Sequence, residues 1–189
     1  MLSALAYFFI WAAAAAQQYP FVQYTPKDGL VNNRARAVYQ DSKGRLYITT
    51  FGGLSIYDGS KFTNFTTDNG LIVNLINDIV EMGEDSLWII PNANKLYCLV
   101  NGKLKDMKTQ DDFYPIINQL LKCSDGFYYA LAEEGFFRFE KNRFIKIPLP
   151  GLPDRDAGRY LGMAVEMDGK LFVLYDKTYS TSSSGSLLV

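Results

Sequence analysis

The chain has 189 residues, with 19 lysines and arginines against 20 aspartates and glutamates, two cysteines and no histidine. A net charge of −1 provides no basic field for nucleic acid, and the absence of histidine excludes histidine-dependent triads, histidine metal ligands and a phospho-accepting histidine. Aromatic residues make up 15% of the chain and charged residues 21%, a composition typical of an ordered protein with a core.

The first predicted element is an export signal. Residues 4–16 are continuously apolar, but this run is shorter than the roughly 20 residues that span a membrane. Ala14 and Ala16 form a small-residue cleavage site, so we predict a signal peptide over residues 1–16, cleaved near Ala16, and a mature chain over 17–189. The segment before the apolar run lacks Lys and Arg, and a buried N-terminal helix is the alternative. The signal peptide would place the protein in the periplasm or cell envelope.

The chain after the leader repeats itself with a period of about 41 residues. The pairs matched at this offset are Phe21 with Phe62, Gly29-Leu30 with Gly70-Leu71, Asn33 with Asn74, and Tyr47 with Trp88. Two weaker copies follow around the turns Asp125-Gly126 and Asp168-Gly169. Self-similarity at this period predicts repeated supersecondary units that pack on their neighbours. We place about four units, approximately at residues 21–61, 62–103, 104–143 and 144–189.

Each unit is predicted to contain four short strands, rich in β-branched and aromatic residues. The strands predicted in the first copy are Ala35–Gln40, Arg45–Thr50, Leu54–Tyr57 and Phe62–Thr66. Tight turns at Gly44, Gly53 and Gly59 separate them. Before the third copy, Asp112–Leu121 could instead form a turn of helix.

Four strands in each repeat of this length are typical of a β-propeller blade. A β-sandwich would also show short, evenly spaced strands, but it gives no reason for self-similarity at a fixed period. We therefore predict an all-β fold of β-propeller blades, each a four-stranded antiparallel unit.

The residues at the repeat positions resemble a known family. They are Gly29, Leu30, Asp41, Gly44, Tyr47, Gly53, Asp58 and Gly59 in the first copy, and Gly70, Leu71 and Trp88 in the second. This pattern resembles the two-component regulator propeller repeat, closely from Phe21 to about Leu104 and more loosely to about Tyr175. The chain departs from the family pattern at Thr49, where glycine is usual. The resemblance implies the periplasmic sensor half of a two-component regulator, often a hybrid histidine kinase of Bacteroidetes, and glycan-sensing members bind oligosaccharide breakdown products.

The number of units predicts an incomplete propeller. A ring takes about four to eight blades to close and hide its sheet edges, and this chain holds about four imperfect ones. Residues 181–189 end in what reads as the start of another strand. We therefore expect the remaining blades and signalling modules in a longer chain, which would reach the membrane only through absent downstream segments. A small closed four-bladed propeller is the alternative.

The connections between units supply the candidate ligand-binding residues, because such loops line one mouth of a propeller's channel. The candidates are Asn32, Asn33, Arg34, Arg36 and Asn74. Amide and guanidinium groups suit sugar hydroxyls or carboxylates. Asn33 and Asn74 share a repeat position, so the alternative is that they brace their own loops. Arg34 and Arg36 have no counterpart in the second copy, which leaves a local functional role open.

Aromatic residues recur at one repeat position, as Tyr47, Trp88 and Tyr128. Such rings could stack on sugars, but a repeated aromatic residue within a strand is more typical of the core between blades. We favour the core.

Neither the two cysteines nor the turn at Asp41–Gly44 indicates a catalytic or metal site. Cys98 and Cys123 lie in predicted strands, where an exported protein could form a disulfide, but we favour buried free thiols. The turn at Asp41–Gly44 lacks the alternating oxygen ligands of a calcium loop. We therefore predict no metal site and no cofactor.

These observations lead to one hypothesis and two rivals. We predict a non-catalytic ligand-sensing propeller whose partners are a small-molecule or oligosaccharide ligand and the rest of a longer chain, with a dimer left open. The kinase step would lie outside this chain, because it has no histidine. The first rival is a secreted polysaccharide lyase or hydrolase, which the supply of Tyr and Arg does not exclude. The second is an envelope scaffold that binds another protein.

Overall fold

The computed structural model describes residues 21–83, 86–149, 161–175 and 186–188. The predicted signal peptide over residues 1–16 and its cleavage site lie outside these ranges. The described part consists of β-strands, their connections and two single 3-10 turns, Pro26–Asp28 and Thr67–Asn69. Within it, no helix has the length and apolar character needed to cross a membrane.

The described strands form four antiparallel sheets, which we call blades 1 to 4. Blade 1 contains β1 (Ala35–Gln40), β2 (Leu46–Thr50), β3 (Gly53–Tyr57) and β4 (Phe62–Phe65). Blade 2 contains β5 (Ile76–Gly83), β6 (Ser86–Pro91), β7 (Tyr97–Val100) and β8 (Lys103–Asp106). Blade 3 contains β9 (Ile117–Lys122), β10 (Tyr128–Ala132), β11 (Gly135–Glu140) and β12 (Arg143–Lys146). The described strands of blade 4 are β13 (Leu161–Met167), β14 (Lys170–Tyr175) and β15 (Ser186–Leu188).

Each strand pairs with its neighbour in the chain, so every sheet is a simple meander. This arrangement confirms the predicted all-β fold of four-stranded antiparallel units. Where the sequence allowed a turn of helix over Asp112–Leu121, the structure has an irregular segment followed by strand β9, which pairs with β10. Cys123 lies just after β9 rather than within a strand, because its backbone closes the turn to β10.

Both cysteines are free thiols. Cys98 is half-buried in β7, where its sulfur lies 3.3 Å from the Ser86 hydroxyl. Cys123 is buried, and this burial raises its pKa to about 11. A thiol with so high a pKa is inert at neutral pH, since only the thiolate is the reactive form.

Apolar side chains pack between blades. The core between blades 1 and 2 is formed by Tyr47, Leu54, Ile56, Phe65, Leu71, Ile76, Ile79, Leu87, Ile89, Tyr97 and Leu99. A second core, between blades 2 and 3, includes Trp88, Ile90, Ile117 and Phe137, and a third contains Leu131, Phe136, Ala164 and Val173. Tyr47 is 1% exposed and Trp88 is 5% exposed, so these rings offer little surface to a sugar. Each blade thus depends on its neighbour for a core.

The two copies of the Gly-Leu pair have the same local structure. Thr25 and Thr66 each cap a 3-10 turn through their side-chain oxygens. Gly29-Leu30 and Gly70-Leu71 follow these turns, with glycine φ angles of 107° and 127° and with both leucines buried. A positive φ strongly favours glycine, which explains why the pair recurs.

Gly53, the first residue of β3, is a position that only glycine fits. Its φ is 133°, and a Cβ atom there would overlap the carbonyl oxygen of Phe65. We expect Gly53→Ala to lower the free energy of unfolding by about 2–4 kcal/mol, measured by urea denaturation. Gly59→Ala is the matched control, because Gly59 also has a positive φ but nothing lies within 4 Å of its Cβ position. Its expected cost is about 1 kcal/mol, and equal losses would contradict the overlap argument.

Candidate functional site

The first strands of the blades lie side by side at the inner edge of the assembly. Strand β9 contacts both β5 and β13, and β5 also contacts β2 of blade 1. In a propeller the first strand of each blade surrounds the central axis, and the last strand lies outside. The inner strands here are therefore β1, β5, β9 and β13.

One polar side chain on each of three inner strands reaches the backbone of the next blade. The bonds are Arg36 Nη1 to the Ile76 carbonyl at 3.1 Å, Asn77 Nδ2 to the Ile117 carbonyl at 2.9 Å, and Gln119 Nε2 to the Ala164 carbonyl at 3.0 Å. Arg36 and Asn77 occupy the same repeat position, one period apart. Asn77 is therefore the counterpart of Arg36 in the second copy. The sequence did not show this, because two different residue types make the same contact.

The predicted loop residues lie in the connections that lead into β1 and β5. Asn32 Oδ1 accepts a hydrogen bond from the backbone N–H of Arg34 at 2.8 Å, and Asn74 Oδ1 accepts one from that of Thr67 at 2.8 Å. Both amides brace their own loops. Asn33 is exposed at its loop. Ligand binding by these residues stays a prediction.

Arg34 and Arg36 meet at a residue that the sequence did not single out. Phe51, in the turn after β2, is 52% exposed, and the Cζ atoms of Arg34 and Arg36 lie 4.8 Å and 5.7 Å from its ring centroid. The backbone N–H of Phe51 also donates to the Arg34 carbonyl at 3.2 Å. Cation–π contacts at exposed sites stabilise by about 0.5–1 kcal/mol. The sequence signal that could have identified Phe51 is an aromatic residue directly before the Gly52-Gly53 pair.

A groove of about 950 Å³ lies along the inner strands of blades 1 to 3. Its lining includes Gly83 and the polar residues Asn77, Asp78, Glu81, Asn118 and Lys122. None of these was predicted as a site residue, because the search was confined to the connections between units. Within the described ranges, no cluster of three Cys, Asp or Glu side chains could hold a metal ion.

Glu81 joins blade 2 to blade 1 at one side of the groove. Its carboxylate accepts hydrogen bonds from the Ser42 hydroxyl at 2.6 Å, from the Ser42 backbone N–H at 3.3 Å and from the Tyr39 hydroxyl at 3.2 Å. Burial and the negative charge of Glu81 raise the pKa of Tyr39 to about 12. We call the paired contact of a serine hydroxyl and its N–H with a glutamate of the next blade a clasp.

The same clasp joins blades 3 and 4. Ser124 donates its hydroxyl and its backbone N–H to the carboxylate of Glu166, the latter at 2.9 Å to Oε2. The contact therefore recurs at two separate joints of the described structure, with the same residue types.

Asp78 joins blades 2 and 3 on the floor of the groove. Its Oδ2 accepts a hydrogen bond from the backbone N–H of Leu120 at 2.8 Å, and its Oδ1 accepts one from that of Ile79 at 2.8 Å. Burial raises the pKa of this carboxyl above its usual value, although both N–H groups favour the charged form. Asp78 therefore acts as a hydrogen-bond acceptor that joins blades 2 and 3.

Breaking the clasp at one joint should loosen that joint alone. We expect Ser42→Ala to lower the free energy of unfolding by about 1 kcal/mol and to speed amide hydrogen exchange in β1 and β5. The control is Ser60→Ala, because Ser60 also donates its hydroxyl to an aspartate, Asp58, at 2.9 Å, but within an exposed turn of blade 1. Faster exchange in β5 of the control would argue against a joint-specific role.

A family model described as two component regulator propeller matches residues 29–52. This segment runs from Gly29 through β1 and β2 to the turn before Gly53. No curated protein sequence matches the chain significantly.

Solved structures share the propeller fold with this chain. One, described as the extracellular domain of a hybrid two component system from B. thetaiotaomicron, matches with a TM-score of 0.70 at 17% identity, over 90% of this chain and 25% of that one. A second such domain from the same organism gives a TM-score of 0.60 at 18% identity, over 84% and 24%. Virginiamycin B lyase from Staphylococcus aureus gives 0.59 at 14%, over 82% and 55%.

This chain spans about a quarter of the length of the two B. thetaiotaomicron domains. Identities this low show a common fold and nothing more. The sequence match is more specific, because it covers the first two strands of blade 1 and the turn between them. Residues 29–52 of blade 1 therefore match the two component regulator propeller repeat, within a β-propeller fold.

Proposed function

We propose that this chain is a non-catalytic, ligand-sensing propeller region of a two-component sensor and works outside the cytoplasm. The family repeat at residues 29–52 is the observation that carries this proposal. The fold shared with extracellular domains of hybrid two component systems supports it. The ligand is a small molecule or an oligosaccharide, bound in the groove of blades 1 to 3.

The groove supports ligand binding by its size and its chemistry. Ligand sites generally measure about 300–1,000 Å³, and this groove measures about 950 Å³. The amide of Asn118 is exposed at its wall, and amides suit sugar hydroxyls because they both donate and accept hydrogen bonds. A ligand here would touch three blades at once. It could therefore favour one arrangement of the blades, which is how differential affinity shifts an equilibrium.

The lyase alternative has less support from the groove. An acid–base catalyst needs a pKa near the working pH, and the tyrosine that lines this groove has a pKa raised to about 12. The hydroxyl of Tyr39 also donates to Glu81, so the fold uses it as a donor.

Isothermal titration calorimetry of the full chain against neutral and acidic oligosaccharides tests the proposal. We expect at least one class to bind, and Asn118→Ala to weaken that binding about tenfold, a loss of about 1.4 kcal/mol. Ser60→Ala is the control, since Ser60 is not among the residues that line the groove. An oligosaccharide ligand would be contradicted if none of these sugars bound, and the non-catalytic function would be contradicted if bound sugar were cleaved.

A further inference from the structure

The first two strands of a blade carry a pair of apolar residues that faces the preceding blade. The pairs of blades 2, 3 and 4, opposite each other in register, are Ile79 with Ile89, Leu120 with Ala130, and Ala164 with Val173. All six residues are at most 6% exposed, and each pair belongs to the core that its blade shares with the one before it. We call this side of a blade its rear face and the other side its front face.

The rear face of blade 1 does not contribute to such a core. Its pair is Val38 with Ile48. Val38 is 61% exposed and Ile48 is half-buried. The residue whose counterparts fill the three cores is therefore in contact with solvent, and blade 1 presents one half of a joint.

The front face of blade 4 is exposed in the same way. Ile90 and Leu131 occupy one register position on the front faces of blades 2 and 3, and both are buried. Leu174 occupies that position in blade 4 and is 46% exposed. Val165, on the same side of the sheet, is exposed as well. Because both end faces are exposed in one molecule, they do not cover each other within the chain.

A segment outside the sheets matches the outer strand of a blade. Residues 21–24 lie one period of 41 before β4, and a capped 3-10 turn follows each of them. They pair with no described strand, and Phe21 and Val22 are exposed. The ring of Tyr24 lies 5.0 Å from that of Tyr57, which keeps the segment beside blade 1. Blade 4 in turn has three described strands, with β15 at its edge.

We propose that the front face of blade 4 binds the rear face of blade 1 in a second copy of this chain. The two faces are complementary, because every joint inside the chain brings a front face and a rear face together in the same register. Residues 21–24 of one copy add the fourth strand to blade 4 of the other, beside β15. The inference goes beyond the proposed sensing function and does not depend on it.

The head-to-tail contact closes on itself with two copies. Each copy has four blades, so two copies form a ring of eight, within the usual range of about four to eight blades. Repeat proteins need polar outer faces on their terminal repeats to stay soluble. The closed ring meets this need in another way, since it buries both apolar end faces.

Light scattering after size-exclusion chromatography of the full chain tests this assembly, and we expect twice the mass of one chain. Val38→Asp and Leu174→Asp, one on each end face, should each raise the dimer dissociation constant about tenfold or more, because each places an unpaired charge in the joint. Ile72→Asp is the matched control and should associate as the parent does. Ile72 is also an exposed aliphatic residue, but it lies in the connection between blades 1 and 2. Melting temperatures of all variants would show that they fold.

Mixing the two variants distinguishes a head-to-tail ring from a dimer of identical faces. Each variant keeps one unaltered end face, so an equimolar mixture should regain dimers through one unaltered joint. A dimer that Leu174→Asp leaves intact, or a mixture that stays monomeric, would overturn the inference. A parent chain that is monomeric at every concentration would also overturn it and would mean that further blades of a longer chain cover these faces. A mass above two copies would replace the ring with an open filament. None of these results bears on ligand binding by the groove, which calorimetry tests separately.

Discussion

Replacing Trp88 with alanine is expected to lower the free energy of unfolding by about 3–5 kcal/mol. The indole is 5% exposed and sits in the core between blades 2 and 3. The ring of Phe139 meets it edge-on at a centroid distance of 4.7 Å, and that of Tyr128 stacks on it at 5.8 Å. Removing the indole deletes the largest side chain of that core and leaves a cavity that the sheets are too rigid to fill.

Urea denaturation followed by circular dichroism measures this loss. Trp88→Phe keeps an aromatic ring in the same place, so we expect it to recover more than half of the stability. A cost below about 1 kcal/mol for Trp88→Ala would mean that the indole is not part of the core. The same result would reopen the alternative that the repeated aromatic position stacks on sugars.

Most of the blade architecture could be predicted because it depends on local signals. The turn glycines mark the ends of β2 and β3, and alternation of apolar residues marks the strands between them. The bounds of β1 were predicted to the residue, and β3 begins at Gly53, one residue before the predicted start. The helix alternative over Asp112–Leu121 was wrong because pairing with β10 outweighed a weak local preference.

The groove could not be predicted in the same way, because it depends on contacts between blades. Ser42 and Glu81 meet although 39 residues separate them in the chain. A period shows that two positions are equivalent but not which side chains face each other across a joint. The exchange of Glu81 for Lys122 one period later was visible in the sequence. Its place in the molecule appears only in the structure, where Lys122 and Gly83 line the same groove.

Neighbouring blades are joined by apolar cores, by clasps and by polar side chains that bond to the next backbone. The joints differ in which of these contacts they have. Blades 1 and 2 share an apolar core, a clasp and the bond from Arg36. Blades 2 and 3 have the core around Trp88, the bond from Asn77 and the acceptor Asp78, but no clasp among the described residues. A ligand bound across this joint would add a contact between blades 2 and 3 at the place where the clasp is missing. If the groove binds the proposed ligand, binding and the packing of blades 2 and 3 would be coupled.

Asp41 supplies the second large effect, through hydrogen bonds inside blade 1. Its side chain is buried at the turn after β1 and accepts bonds from the backbone N–H groups of Lys43 at 3.0 Å and Arg45 at 2.9 Å. The Arg45 guanidinium donates to it at 2.6 Å and the Tyr47 hydroxyl at 3.2 Å. Burial by itself would raise the pKa of this carboxyl, but the bonds from Arg45 and its positive charge hold the pKa below the usual value.

Asp41→Ala is expected to lower the free energy of unfolding by about 2–4 kcal/mol at pH 7, because four donors lose their acceptor. A carboxyl with a lowered pKa contributes stability above its unfolded pKa, near 4, and loses that contribution as the pH falls through its folded pKa. The gap between the parent and Asp41→Ala should therefore narrow between pH 5 and pH 2. Urea denaturation across this range measures it, with Asp68→Ala on an exposed turn as the control. A gap that stayed constant with pH would show that the charge of Asp41 does not stabilise the blade.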